Sequence, residues 1–216
     1  MEPKWLNRAE QYVRRFTIRN LMLIMVCGMA AVYITDVLLR SFFPNGITQH
    51  LIFNRNSILK GELWRLISFI FILPASGTVS ALLTLYLYWM IGSVLTNQWG
   101  SARFCLFYYI GVFGSILGGF ITGGTTNEFL NMSLFFAFAL LYPNFKLMLF
   151  FILPIEIKYL ALVNLLFFVF RFFQIGFSGK MAMLFSLANL ALFFWTDAAN
   201  MIRQYMRRRR FRKSIR

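Results

Sequence analysis

The chain has 216 residues, of which 59% are hydrophobic, 27 are phenylalanine and 13% are charged, a charged share about half that of soluble globular domains. Such a composition excludes an ordinary soluble domain and describes a polytopic membrane protein. The net charge of +15 does not point to nucleic acid, because Lys and Arg collect at the two ends and in short loops, as orientation signals do.

Met1 to Asn20 carries Lys4, Arg8, Arg14, Arg15 and Arg19, with Trp5, Ala9, Tyr12, Val13 and Phe16 at the spacing of one helix face. That pattern predicts an amphipathic helix on the membrane surface and not a cleaved signal peptide. Leu21 to Leu39 is apolar and long enough to span. The connection from Arg40 to Ser76, about 35 residues, is too long for an ordinary loop and should carry its own structure. It holds the single histidine, His50, then Arg55, Lys60, Glu62 and the run GELWRLISFIFILP, in which Trp64 and Arg65 stand together. Short helices embedded in one leaflet are expected, with Trp64 at the interface and Arg65 binding carbonyls or a carboxylate.

The second span is predicted from Thr78 to Leu95, ending in a short loop with Trp99 and Arg103, and the third from Phe104 to Ile121. Gly111, Gly114, Gly118 and Gly119 lie in the third, where small residues let helix backbones approach closely in lipid. Next comes TTNEFLNMSLFFAFALLYPN. Its apolar part, Phe129 to Tyr142, is about fourteen residues and covers roughly 21 Å of a hydrocarbon core ~30 Å thick. It cannot cross alone. A short central helix ringed by longer ones is expected, its polar start at Thr125 to Glu128 opening into a recess where function is decided. FKLMLFFILPIEIK, interrupted by Pro154 and Glu156, reads as a hairpin-like turn at the membrane face. Tyr159 to Phe173 and Met181 to Trp195 are the fifth and sixth spans, and the chain closes on MRRRRFRKSIR. Cys27 and Cys105 sit in apolar runs as small buried hydrophobes, without the spacing of a disulfide framework or a metal site. No cofactor is expected.

The expected fold is therefore an all-α polytopic membrane protein: a cytoplasmic segment 1–20, a six-helix membrane domain 21–197 and a basic cytoplasmic tail 198–216. Sixteen of the 22 Lys and Arg fall on the side of the termini, which places both termini in the cytoplasm. The tail serves as a topology anchor or a contact for anionic lipid or an acidic partner. Basic tail and short loops fit a bacterial cytoplasmic membrane.

Six spans, a long membrane-embedded first loop with the pair Trp64-Arg65, a glycine-rich third span and a short fourth helix together resemble the rhomboid superfamily. The stretch AFALLYPNFKLMLFFILPIEIKYLALVN is particularly similar to the corresponding region of bacterial rhomboids, and the likeness covers about Leu21 to Asp197. The resemblance implies an intramembrane serine protease fold, with a serine in a Gly-x-Ser-Gly turn opening the fourth helix, a histidine in the sixth, and His and Asn in the second steadying the oxyanion. Here the nucleophile position falls near Glu128, within Thr126-Asn127-Glu128-Phe129. The oxyanion positions fall on about Ser80 and Thr84. The histidine position falls in Ser186-Leu187-Ala188-Asn189. None of these carries the family's residue.

Chemistry points the same way, since a serine hydroxyl needs a positioned base to lose its proton. His50 lies in the first loop, and no lysine falls within an apolar span. Ser133, the rival nucleophile, lies about five residues deeper than the family serine, where its hydroxyl is expected on the carbonyl four residues back or on a neighbouring helix. Two intramembrane charges remain, Glu128 and Arg171, which either bridge across the recess or leave Arg171 to snorkel to the interface. Asp36 is a candidate partner for Arg40, one turn away.

The expectation is a non-catalytic rhomboid-like protein, similar to derlins and inactive rhomboids, that binds transmembrane segments of client membrane proteins. Local thinning of the bilayer around the short helix would assist it. The alternatives are an active intramembrane serine protease with a non-standard site on Ser133 and a transporter or lipid-handling protein.

Overall fold

The computed structural model describes residues 15, 17–39, 42, 46–75, 77–149 and 153–174, together with 180, 183, 184, 190, 191 and 193. Most of the N-terminal segment, the basic tail, Arg40 and most of the sixth predicted span lie outside the described residues.

Helix α1, Leu21–Leu39, buries Leu21, Met22, Met29 and Asp36. Positions 22, 29 and 36 recur every seven residues, so a narrow stripe faces the bundle and the remaining apolar surface faces outward, as lipid requires. Cys27 falls on the outward side and is exposed, against its expected burial. Cys105 is buried, its thiol directed at the Ile18 carbonyl.

The long connection folds into short pieces: α2, Thr48–Leu51; β1, Phe53–Asn54; α3, Arg55–Leu59; and α4, Arg65–Ser68, which runs into a 3₁₀ turn at Phe69–Phe71. The Asn54 side-chain carbonyl accepts from the Asn56 and Ser57 amides and so starts α3. Phe53, Ile58, Phe69 and Ile70 of this connection enter the same core as the long helices. The connection is therefore part of the bundle and not a strap across it.

Helices α5, Thr78–Trp99, and α6, Ser101–Thr122, are joined by Gly100 alone. Its φ of 81° lies in the left-handed region that glycine adopts without strain, which permits so abrupt a reversal. After α6 come β2, Gly124–Thr125, and the short α7, Glu128–Leu141. Strands β3, Lys146–Leu149, and β4, Leu153–Glu156, then form an antiparallel hairpin with Lys146 opposite Glu156. Helix α8, Ile157–Gln174, follows.

The described chain is mostly helical, but two small antiparallel pairings, β1 with β2 and β3 with β4, depart from an all-α expectation. Both meet the same need, since backbone amides and carbonyls leaving a helix must find partners where water is scarce. Among the described residues four helices, α1, α5, α6 and α8, are long and apolar enough to cross a membrane, which is the build of a membrane protein. Helix α7 is shorter and central: Leu130, Leu134, Ala137 and Phe138 are buried, with α5, α6 and α8 packed around them. Phe193, the described residue nearest the end of the sixth predicted span, packs its ring against Trp99 and Phe107.

Candidate functional site at the start of the short helix

Four elements converge on the first turn of α7. Phe53 pairs with Thr125 and Asn54 with Gly124, while the Arg55 amide donates to the Gly123 carbonyl at 3.0 Å. Asn127, buried just ahead of α7, donates through Nδ2 to the Ile70 carbonyl at 2.9 Å and to the Ile72 carbonyl at 2.6 Å. Its amide therefore satisfies the carbonyls freed where the 3₁₀ turn ends, and it ties the first connection to the central helix. The sequence reading missed Asn127 as a structural residue; its place beside Glu128 concealed it among general polar flanks.

Glu128 is the first residue of α7 and Arg171 lies in the last turn of α8. A carboxylate at a helix start and a guanidinium at a helix end each complement the local helix dipole, and antiparallel packing sets the two ends side by side. Arg171 Nη1 donates to Glu128 Oε1 at 2.7 Å. Of the two arrangements open to Arg171, the structure has the bridge. About half of each side chain remains accessible, 52% for Arg171 and 43% for Glu128, so the pair stands at the mouth of the helix cluster and not inside it.

The hydroxyls of Ser133 and Ser80 are committed to local backbone. Ser133 is buried on α7 and donates to the Leu130 carbonyl at 2.7 Å, three residues back where four was expected. The shorter step is the tighter of the two local bonds a helical serine can form. Ser80 closes the first turn of α5, accepting from the Gly77 amide and donating to the Gly77 carbonyl at 2.8 Å. Thr84 lies one turn further along, half-buried. Ser186 lies outside the described residues. His50 is exposed on α2, with its backbone carbonyl accepting from Trp64 Nε1 at 3.2 Å. The structure brings none of these hydroxyls and His50 together in a hydrogen bond among those it gives for the described residues.

Trp64 and Arg65 organise the first connection. Arg65 is buried; its Nη1 donates to the carbonyls of Gln49 at 2.8 Å and Ile52 at 2.9 Å, and its Nε is held by Glu62. It thus binds carbonyls and a carboxylate at once, as a five-donor fork can. Asp36 accepts from the Thr48 amide and hydroxyl at 3.2 and 3.1 Å, anchoring α2 to α1, whereas its expected partner Arg40 is outside the described residues.

Of the predicted glycines, Gly111 and Gly118 are buried and Gly114 half-buried on α6. Gly119, the fourth of them, is closely approached: an added Cβ would stand 2.6 Å from the Phe53 ring. A glycine of the third span thus seats a ring of the first connection. Below Glu128, three further polar side chains meet: Tyr88 of α5, Tyr108 of α6 and Asn131 of α7. Asn131, three residues after Glu128 in an otherwise apolar run, was the signal in the sequence that could have revealed them. Compared with protein-family models, curated proteins and solved structures, the chain matches none.

Proposed function

We propose that this is a rhomboid-like membrane protein without protease activity, which receives transmembrane segments of client proteins between its second and fifth spans. The observation that carries the reading is the bridge between Glu128 and Arg171. Where the resemblance puts a nucleophilic serine, this chain has a carboxylate already bonded to a cation from the neighbouring helix. That pair offers no hydroxyl to acylate, and the buried serine of the same helix, Ser133, is spent on its own helix. The wide apolar faces of α5 and α8, with Trp89 and Phe167 exposed, supply a surface suited to another apolar helix.

Two measurements test it. The full chain in liposomes is given a fluorogenic transmembrane peptide and a serine-reactive phosphonate; neither cleavage nor labelling is expected. Labelling that disappears in Ser133→Ala would overturn the reading in favour of a displaced active site. Photo-crosslinkers at Trp89 and Phe167 in native membranes should capture membrane-protein segments, and capture of lipid alone would count against client binding.

A further inference from the structure

Among the described residues, the Tyr108 hydroxyl and both polar atoms of the Asn131 amide are buried without a well-formed hydrogen bond. Tyr108 is 1% exposed and Asn131 4%, both within the core formed by α5, α6 and α7. Tyr88 stands beside both, its hydroxyl within loose bonding reach of the Asn131 amide and close enough to feel the Tyr108 hydroxyl and Glu128. An amide and a phenol enclosed in apolar surroundings are costly unless bonded, whereas leucine and phenylalanine would fill the same space at no polar cost. Unsatisfied donors and acceptors gathered at one place are the lining of a polar site.

We propose that Tyr88, Tyr108 and Asn131 form an intramembrane water site, one helical turn deeper than Glu128. The chemistry of the lining selects the guest. All three groups are uncharged, so an ion would gain little to replace its hydration. Asn131 offers both donors and an acceptor, and each phenol offers both, which suits a molecule that donates and accepts at once. The inference does not rest on the rhomboid reading, because it uses only the packing of α5, α6 and α7.

Radiolytic hydroxyl-radical labelling in H₂¹⁸O tests it on the full chain in lipid nanodiscs, because radicals made from bound water mark the side chains that hold it. Tyr108 should be labelled well above Phe107, which is equally buried and apolar, after correction for the intrinsic reactivity of each ring. In Asn131→Leu the Tyr108 label should fall to the level of Phe107. Should that variant fail to fold, Tyr88→Phe, which keeps the ring, should lower the label in the same direction. An unlabelled Tyr108 in the natural chain would overturn the proposal, as would a label that persists in every folded variant.

Discussion

Glu128 and Arg171 are a pair whose energetics depend on what surrounds them. In water, an exposed bridge contributes less than about 1 kcal/mol, because both ions are well solvated apart. Beside hydrocarbon, either ion without the other has few partners, and the pair becomes more nearly obligatory. A double-mutant cycle separates these cases. Glu128→Gln and Arg171→Gln should each destabilise the protein, and the double variant should lose less than the two losses added together, with a coupling of roughly 1–2 kcal/mol. Equilibrium unfolding in mixed micelles measures it. Strict additivity would mean that the two charges act alone, with Arg171 held by solvent. The same residues show what the sequence could and could not convey. Two opposite charges in apolar helices announced a possible pair, but the choice between bridge and snorkelling was set by antiparallel packing of α7 on α8, which no local pattern encodes.

Among elements, the long helices were legible because lipid imposes a length and an apolar content on each, and the predicted spans differ from α1, α5, α6 and α8 only at their ends. The turn between α7 and α8 was legible for the converse reason, since Pro154 and Glu156 break a run that would otherwise cross. The pairing of β1 with β2 was not. Each strand has two residues, far below the length at which alternation shows, and the partners lie about seventy residues apart. What fixes it is the fit of Phe53 against Gly119, Phe69 and Phe120. Gly119→Leu should therefore destabilise by about 1–3 kcal/mol, the cost of overpacking a filled core, while the same change at exposed Gly77, whose backbone is extended and whose Cβ would meet open space, should cost less. A thermal shift of purified protein reads the difference. The β3–β4 hairpin carries a charge of its own. Its Glu156 carboxyl is held below the ordinary glutamate range, chiefly by its bond to Lys158. A folded value below the unfolded one means the contribution is present at neutral pH and is lost as pH falls through the lowered folded value. Protection of the hairpin amides, taken relative to the intrinsic exchange rate at each pH, should fall over that acid window, and Glu156→Gln should abolish that fall.

Across the molecule, the first connection and the central helix behave as one body. Asn127 bonds the end of the 3₁₀ turn, Arg55 bonds Gly123, and Phe53 is wedged between α6 and the connection. These contacts close long loops of sequence, so once one is broken the entropy that the others hold back is released with it. Cooperative opening is the consequence, with the connection and the start of α7 exchanging their amides together. Asn127→Ala removes the buried amide and strands two carbonyls, a loss of about 1–3 kcal/mol. Hydrogen exchange by mass spectrometry should show faster exchange in both Phe53–Arg55 and Gly123–Asn127, by the same factor. The β3–β4 hairpin, which shares none of these bonds, should keep its rate. Faster exchange confined to residues 123–127 would mean that the connection holds its place without Asn127, and that the start of α7 can open while the first loop stays folded.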